Sequence, residues 1–228
     1  MATLYIIGTP IGNLGDISFR AAEILKSVSL VACEDTRRTL KLLSHLGLRV
    51  KMLSCRAQNE DRAALKVIEA LDQGLDVAYC SDAGTPALSD PGAALARAAA
   101  RAAHKVIPIP GPSAFAALLS VSGARDKTVV FEGFLSPKPG KRRARLRELL
   151  AMDAASVIYE SPFRVLKLLA DIAEIDNSRY TCIGREMTKV HEEYIRGSAA
   201  EVLAELTARG EQIGEFSVLI SGKQADSG

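Results

Sequence analysis

Three acidic side chains stand directly after short apolar runs that end in cysteine: Glu34 and Asp35 behind Leu30–Cys33, and Asp82 behind Val77–Cys80. If those runs are parallel strands, the acids lie at carboxyl ends, where open α/β sheets gather ligands. Two more such loops, Gly8-Thr9-Pro10-Ile11-Gly12-Asn13 and Pro110-Gly111-Pro112-Ser113, share the same density of glycine, proline and small polar residues. These compositions let a ligand approach backbone closely. They do not make a phosphate cradle. Gly8-x-x-x-Gly12 is neither the dinucleotide fingerprint nor a Walker loop, and Pro10 removes an amide that a pyrophosphate would use. Carboxylates and carbonyls instead suit a ribose or a cation, and an adenosine-containing cation such as S-adenosylmethionine meets both needs. The alternative reading is that these loops are only tight turns.

Two further groups lie in the second half. Lys138, Lys141, Arg142, Arg143, Arg145 and Arg147 fall within one predicted helix and its approach. Several would share a face able to engage a phosphate backbone, with Phe131 and Phe134 nearby to pack on a base. A solvated helix face is the competing reading. Glu160, Glu186, Lys189 and His191 follow two other strand candidates and are candidates for general base or substrate positioning. Ser161-Pro162 reads as a helix cap rather than a nucleophile.

The elements that must position these residues alternate in the first 110 positions. Strand candidates are Leu4–Gly8, Leu30–Cys33, Val50–Leu53, Val77–Cys80 and Val106–Ile109, separated by helical patterns of ten to fifteen residues. This order predicts right-handed crossovers and a parallel sheet. Gly47 and Gly74 stand where helices stop, and Asp90-Pro91 reads as a helix start. Leu65, Ile68 and Leu71 are expected to turn one face of the 60–73 helix toward the sheet. Pro108-Ile109-Pro110-Gly111-Pro112-Ser113 is too proline-rich for helix or central strand and marks a boundary, giving domains 1–111 and 112–228. Ser113 is placed to cap the helix that follows from Ala114 to Leu119.

Beyond it, strands are expected at Thr128–Glu132, Val157–Glu160, Tyr180–Arg185, Glu193–Arg196 and Phe216–Ser221, with helices near 140–151, 161–173 and 199–209. The third and fourth of these strands are joined without a helix, through Glu186-Met187-Thr188-Lys189, which suits an antiparallel pair and so a mixed sheet. The last residues, 224–228, read as a frayed tail.

Composition bounds the function. The 228 residues are 48% hydrophobic and 25% charged with a net charge of +2, the balance of a globular protein that does not bind nucleic acid by bulk charge. No segment reads as a membrane span or a cleaved secretory signal, so a cytoplasmic protein is expected. Cys33, Cys55, Cys80 and Cys182 are scattered and read as buried thiols; neither they nor the three histidines have metal-ligand spacing, and no metal is expected.

Taken together, Thr9-Pro10-Ile11-Gly12-Asn13-Leu14, Cys33-Glu34-Asp35-Thr36-Arg37, Ser81-Asp82-Ala83-Gly84-Thr85-Pro86 with Ser89-Asp90-Pro91-Gly92, and Pro108-Ile109-Pro110-Gly111-Pro112-Ser113-Ala114 resemble the tetrapyrrole-methylase superfamily. Glu132-Gly133-Phe134-Leu135, Tyr159-Glu160-Ser161-Pro162 and Arg185-Glu186-Met187-Thr188-Lys189 are similar to later motifs of its ribosomal branch, whose members methylate the ribose 2′-hydroxyl of a cytidine in the decoding region of 16S rRNA. The resemblance implies a class III methyltransferase-like fold of two α/β domains with S-adenosylmethionine in a cleft between them. It also implies a homodimer acting on the small ribosomal subunit. It assigns Pro10, Asp82, Gly84, Ser113 and Ala114 to the cofactor, and Glu34, Asp35, Arg37, Glu160, Glu186 and Lys189 to the substrate side. The chain departs from the branch at Ser54-Cys55-Arg56-Ala57-Gln58-Asn59-Glu60, where histidines are usual before Asn-Glu. Phe163 likewise replaces a histidine, and the small C-terminal helical module of many members is expected to be lacking. Other acceptors within the superfamily, a tetrapyrrole or a modified amino acid, and a non-catalytic ribosome-assembly module are the alternative functions.

Overall fold

The computed structural model describes residues 2–87 and 92–223. Asp90-Pro91, read above as a helix start, and the Ser89 that precedes it lie outside the described residues, as does the 224–228 tail. The chain forms two compact units, Met1–Ser113 and Ala114–Gly228.

The first unit runs β1 (Thr3–Ile7), α1 (Phe19–Ser27), β2 (Leu30–Cys33), α2 (Thr36–His45), β3 (Lys51–Ser54), α3 (Glu60–Asp72), β4 (Val77–Cys80), α4 (Gly92–Arg101) and β5 (Lys105–Ile109). All strands are parallel, in the order β3-β2-β4-β1-β5. Buried residues of α1 and α2 pack with Ile7, Val31 and Ala78 on one face, while those of α3 and α4 pack with Leu4, Ala32 and Tyr79 on the other. This division follows from right-handed crossovers. The chain steps one way through β1, β2 and β3 and the opposite way through β4 and β5, so the strand order reverses between β1 and β4. Gly47 and Gly74 terminate α2 and α3 with φ of +68° and +82°; the following amides, of Leu48 and Leu75, reach back to the carbonyls of Leu43 and Ala70.

One expectation for this unit fails. Leu65 is 65% exposed, and α3 is buried through Ala63, Val67, Ala70 and Leu71, with Ile68 only partly covered. Those buried positions keep the i, i+4, i+7, i+8 spacing of a helical face, and two of them are alanines. The small side chains let the helix sit close to the sheet, so the larger Leu65, on the far side of the turn, is left outside.

The second unit runs α5 (Ala114–Ser122), β6 (Val129–Phe134), α6 (Pro139–Ala151), β7 (Ala155–Glu160), α7 (Val165–Ile175), β8 (Tyr180–Arg185), β9 (Glu193–Ser198), α8 (Ala199–Ala208) and β10 (Phe216–Ile220). Its sheet has the order β6-β7-β10-β8-β9, with β6 and β7 parallel and the other pairs antiparallel. The mixed sheet and the β8–β9 hairpin agree with the sequence reading. Leu146, Leu149, Leu168, Ile172, Val202 and Leu206 cover it with their helices. The helix expected from residue 161 begins only at Val165, because residues 161–164 form a turn. In that turn the Ser161 carbonyl accepts from the amides of Arg164 and Val165, and the Ser161 side chain is not a helix cap. All four cysteines are buried thiols that form no disulfide.

Candidate active site

The loops beyond the carboxyl ends of the first sheet are stitched into one surface. The Gly8 amide donates to Ile109 O at 3.0 Å. Thr9 and Gly84 exchange both backbone hydrogen bonds, at 2.9 and 3.0 Å, across the β1/β4 position where strand order reverses. Thr9 Oγ1 donates to Ser81 O, Ser81 Oγ to Gly84 O, and Thr85 Oγ1 to Pro112 O. Two glycines permit the closest approach: a Cβ on Gly8 would lie 2.8 Å from Gly111 N, and one on Gly111 would lie 2.5 Å from Gly8 O. Gly84 holds φ +81°, a left-handed conformation that side chains disfavour.

The acids tie the remaining loops in. Asp82 Oδ1 accepts the Asp35 amide at 2.8 Å, and its other oxygen lies 3.7 Å from Arg38 Nε. Asp35 caps α2 by accepting the Arg37 amide and pairs with the Arg37 guanidinium at 2.6 Å. Those hydrogen bonds from the Arg37 side chain and backbone hold the Asp35 carboxyl far below the usual carboxylate range, which makes it a poor general base. Beyond β3, in the stretch that departs from the histidine-rich pattern, Arg56 Nε donates to Glu34 O at 3.3 Å. Asn59 closes that turn on the Arg56 amide.

The second unit brings its own candidates to one edge of its sheet. Phe216 at the start of β10 is paired with both Glu160 and Arg185, so the ends of β7 and β8 stand two strand spacings, about 10 Å, apart. Glu160 is 3% exposed; Arg164 meets its Oε1 at 2.6 Å and the Ser161 amide donates to the same oxygen at 2.8 Å. Glu186, at φ +50°, accepts from Lys189 Nζ and from the Glu215 amide, both at 2.8 Å, and Lys189 also meets Glu215 at 3.0 Å. Burial pushes the Glu186 carboxyl up, but its hydrogen bonds to Lys189 and the Glu215 amide outweigh that and leave it below its ordinary value. Burial likewise acts against the Lys189 ammonium, and the two carboxylates raise it overall. Both net effects favour the charged forms of Glu186 and Lys189, which hold each other as an ion pair. Gly214 is required beside them, since a Cβ there would sit 2.5 Å from Glu186 Cγ. His191 is exposed.

The basic segment of α6 differs from its reading as an open cationic face. Arg142 is buried and pairs with buried Asp171 at 2.6 Å, so it is not available to a phosphate. Arg143 shares Asp171 and meets Glu174, while Arg145 pairs with Glu132 and Glu148. Lys138 and Lys141 remain exposed. Phe131 is likewise engaged, packed edge-on against Phe115 and Tyr159 at 5.4 and 5.0 Å between ring centres, whereas Phe134 is 58% exposed. Tyr159, whose hydroxyl oxygen accepts the Phe115 amide at 2.9 Å, was not singled out in the sequence. Its position within the Tyr159-Glu160-Ser161-Pro162 motif was the available signal.

A doubly wound parallel sheet with glycine-rich loops joined at its reversal point, followed by a mixed sheet, is the architecture of one class of methyltransferases. Residues 3–203 match the tetrapyrrole (corrin/porphyrin) methylases, and the chain belongs to that family. Its fold is shared with the uroporphyrin-III-C-methyltransferase of Thermus thermophilus (TM-score 0.66, 15% identity, 97% of this chain and 94% of that one). It is shared equally with a cobalt precorrin-4 methyltransferase (TM-score 0.66, 14% identity, 96% and 94%). Much greater sequence similarity is found to proteins named ribosomal RNA small subunit methyltransferase I. The one from Borrelia garinii subsp. bavariensis is 48% identical over 96% of this chain and 98% of its own length. The one from Thermotoga maritima is 41% identical over 98% and 100%. Among the described residues, no helix is long and apolar enough to cross a membrane.

Proposed function

We propose that this enzyme transfers the methyl group of S-adenosylmethionine to the ribose 2′-hydroxyl of a cytidine in the decoding region of small-subunit ribosomal RNA, working as a homodimer in the cytoplasm. The observation that carries the substrate is the 41–48% identity, over essentially full length, to the two small-subunit RNA methyltransferases. The cofactor reading rests on the chemistry of the first unit's loops. They offer glycine backbone, carbonyls and the Asp82 carboxylate, and Pro10 lacks an amide, a set suited to a sulfonium and a ribose rather than to a pyrophosphate.

Pro10, Asp82 and Gly84 would hold this cofactor, with Ser113 and Ala114 after β5. When bound, it supplies an electrophilic methyl carbon on sulfur. What the chain contributes is alignment. A hydroxyl attacking such a carbon loses its proton late, so placing its oxygen in line is worth more than a strong base. Glu186, fixed by Lys189, provides a hydrogen-bond acceptor, Glu160 is buried and holds Arg164 and the Ser161 amide in place beside it, and Glu34 stands among the first unit's loops. Asp35 is reassigned from base to loop anchor, and Arg37, Lys138 and Lys141 stay on the RNA side.

The test incubates the protein with labelled S-adenosylmethionine and small subunits from cells lacking it, then maps 2′-O-methylation by mass spectrometry. One labelled cytidine ribose is expected; transfer to no subunit or rRNA overturns the proposal. Asp82→Leu leaves the Asp35 amide unsatisfied and should weaken cofactor binding about tenfold in calorimetry, equivalent to roughly 1.4 kcal/mol. Ser113→Trp should abolish it, and unchanged affinity in both variants would mean the cofactor lies elsewhere.

A further inference from the structure

Between Thr36 and Asn59 the sequence contains Arg37, Arg38, Lys41, Arg49, Lys51 and Arg56, and no aspartate or glutamate. In a chain of net charge +2 this is a strong segregation, and the structure turns every one of these six side chains outward. Helix α2 buries Thr39, Leu42 and Leu43 and leaves Arg37, Leu40, Lys41 and Ser44 on its outer side. The chain then reverses at Gly47 and enters β3, the unpaired edge of the sheet, through Arg49 and Lys51. Arg37 and Arg38 are paired to Asp35 and Asp82 near the loops described above. Lys41, Arg49 and Lys51 form no ion pair among the described residues.

A groove of about 680 Å³ lies at this far end, with Leu40, Leu43, Leu48 and Val50 as its apolar part and Arg49 and Lys51 beside them. Leu40 is 52% exposed, an unusual choice on a helix otherwise lined with cations. The helix rises 1.5 Å per residue, so the track from Arg37 to Ser44 is about 10 Å long and leads from the loops of the proposed site to the groove.

We infer that α2 and the β3 edge are a docking surface for the RNA backbone outside the target nucleotide, with Lys41, Arg49 and Lys51 meeting phosphates and the groove receiving a base or ribose. A polyanion complements a surface with this charge. A second copy of the chain does not, because a two-fold contact here would set like charges face to face. The inference rests on the proposed RNA substrate and adds the surface that holds it.

The experiment compares wild type with Lys41→Glu/Arg49→Glu/Lys51→Glu, using small ribosomal subunits from cells lacking the enzyme. Filter binding is measured across a salt series, methyl transfer is measured separately, and calorimetry reports S-adenosylmethionine affinity. Expected are a tenfold or greater rise in Kd and KM for subunits, and unchanged cofactor affinity. The milder Lys41→Gln/Arg49→Gln/Lys51→Gln should lose about 2–3 from the slope of log K against log salt, the share of three phosphate contacts. It also covers the case of a reversed variant that does not fold. A control with the same charge change elsewhere, Lys26→Glu/Lys66→Glu/Arg97→Glu, should bind subunits within about threefold of wild type. Wild-type affinity and slope in the folded glutamine variant, or equal losses in the control, would overturn the surface. Binding without methyl transfer by wild type would instead overturn the substrate reading and leave the surface standing.

Discussion

Six arginines and lysines lie between Lys138 and Arg147, and six between Arg37 and Arg56, yet the two segments use them differently. Around α6, Asp171, Glu174, Glu132 and Glu148 take up Arg142, Arg143 and Arg145, and Arg142 is drawn into the core. Lys138, Lys141 and Arg147 stay exposed. Along α2 and into β3 the acids in ion pairs among the described residues are Asp35, at the start of α2, and Asp82, in the loop after β4, while Lys41, Arg49 and Lys51 form none. A run of positive charge is therefore not a patch until its neighbours are known. The α6 cluster reads naturally as RNA-binding in sequence and proves largely a brace joining α6 to α7 and β6.

The contrast can be broken most forcefully at Asp171. Asp171→Ala leaves Arg142 buried without its counter-charge and should cost about 3–5 kcal/mol in urea denaturation. Arg142→Met/Asp171→Leu should recover most of that loss, since apolar replacement removes both desolvated charges. If Asp171→Ala were neutral, α6 would not be braced and its arginines would be free for RNA after all. A smaller effect is expected from Lys138→Gln/Lys141→Gln, which removes two exposed cations. The salt slope for subunit binding should fall by about 1–2, less than for the glutamine triple along α2 and β3. A larger fall would reverse the ranking of the two surfaces.

The smallest effect concerns the anchor at the α2 start. The lowered Asp35 carboxyl means that its contribution to folding is complete above the unfolded value of 3.8 and is lost only as pH falls through the folded value. NMR titration should therefore find Asp35 still ionised at pH 3.8, where an ordinary aspartate is half protonated. Arg37→Ala should return it toward that ordinary value. A half-protonated Asp35 in the wild type would mean that the Arg37 pair is not held in solution.

Much of this molecule was legible in the chain itself. Apolar runs of four or five residues separated by helical periods gave the first sheet, and Gly47 and Gly74 marked helix ends because only a residue tolerant of positive φ turns there without strain. The short, helix-free link between Arg185 and Glu193 announced an antiparallel pair. The loops of the candidate site were readable for the same local reason: glycine and proline declare backbone geometry in place. Two local features were misread because packing and pairing, not residue type, decide them. Leu65 looked core-facing because its size outweighed the alanines that in fact meet the sheet. At Ser161 the backbone closes a turn on the Ser161 carbonyl, and the helix expected there starts at Val165.

Sequence alone thus settled the elements, their order, and the parallel and mixed sheets, because each follows from periodicity or from backbone constraints carried by neighbouring residues. Tertiary structure decided which charges are free. Arg142 and Asp171 are 29 positions apart, and Asp82 reaches the Asp35 amide across 47. Coulomb energy and desolvation depend on distance through space, and no local pattern records that distance.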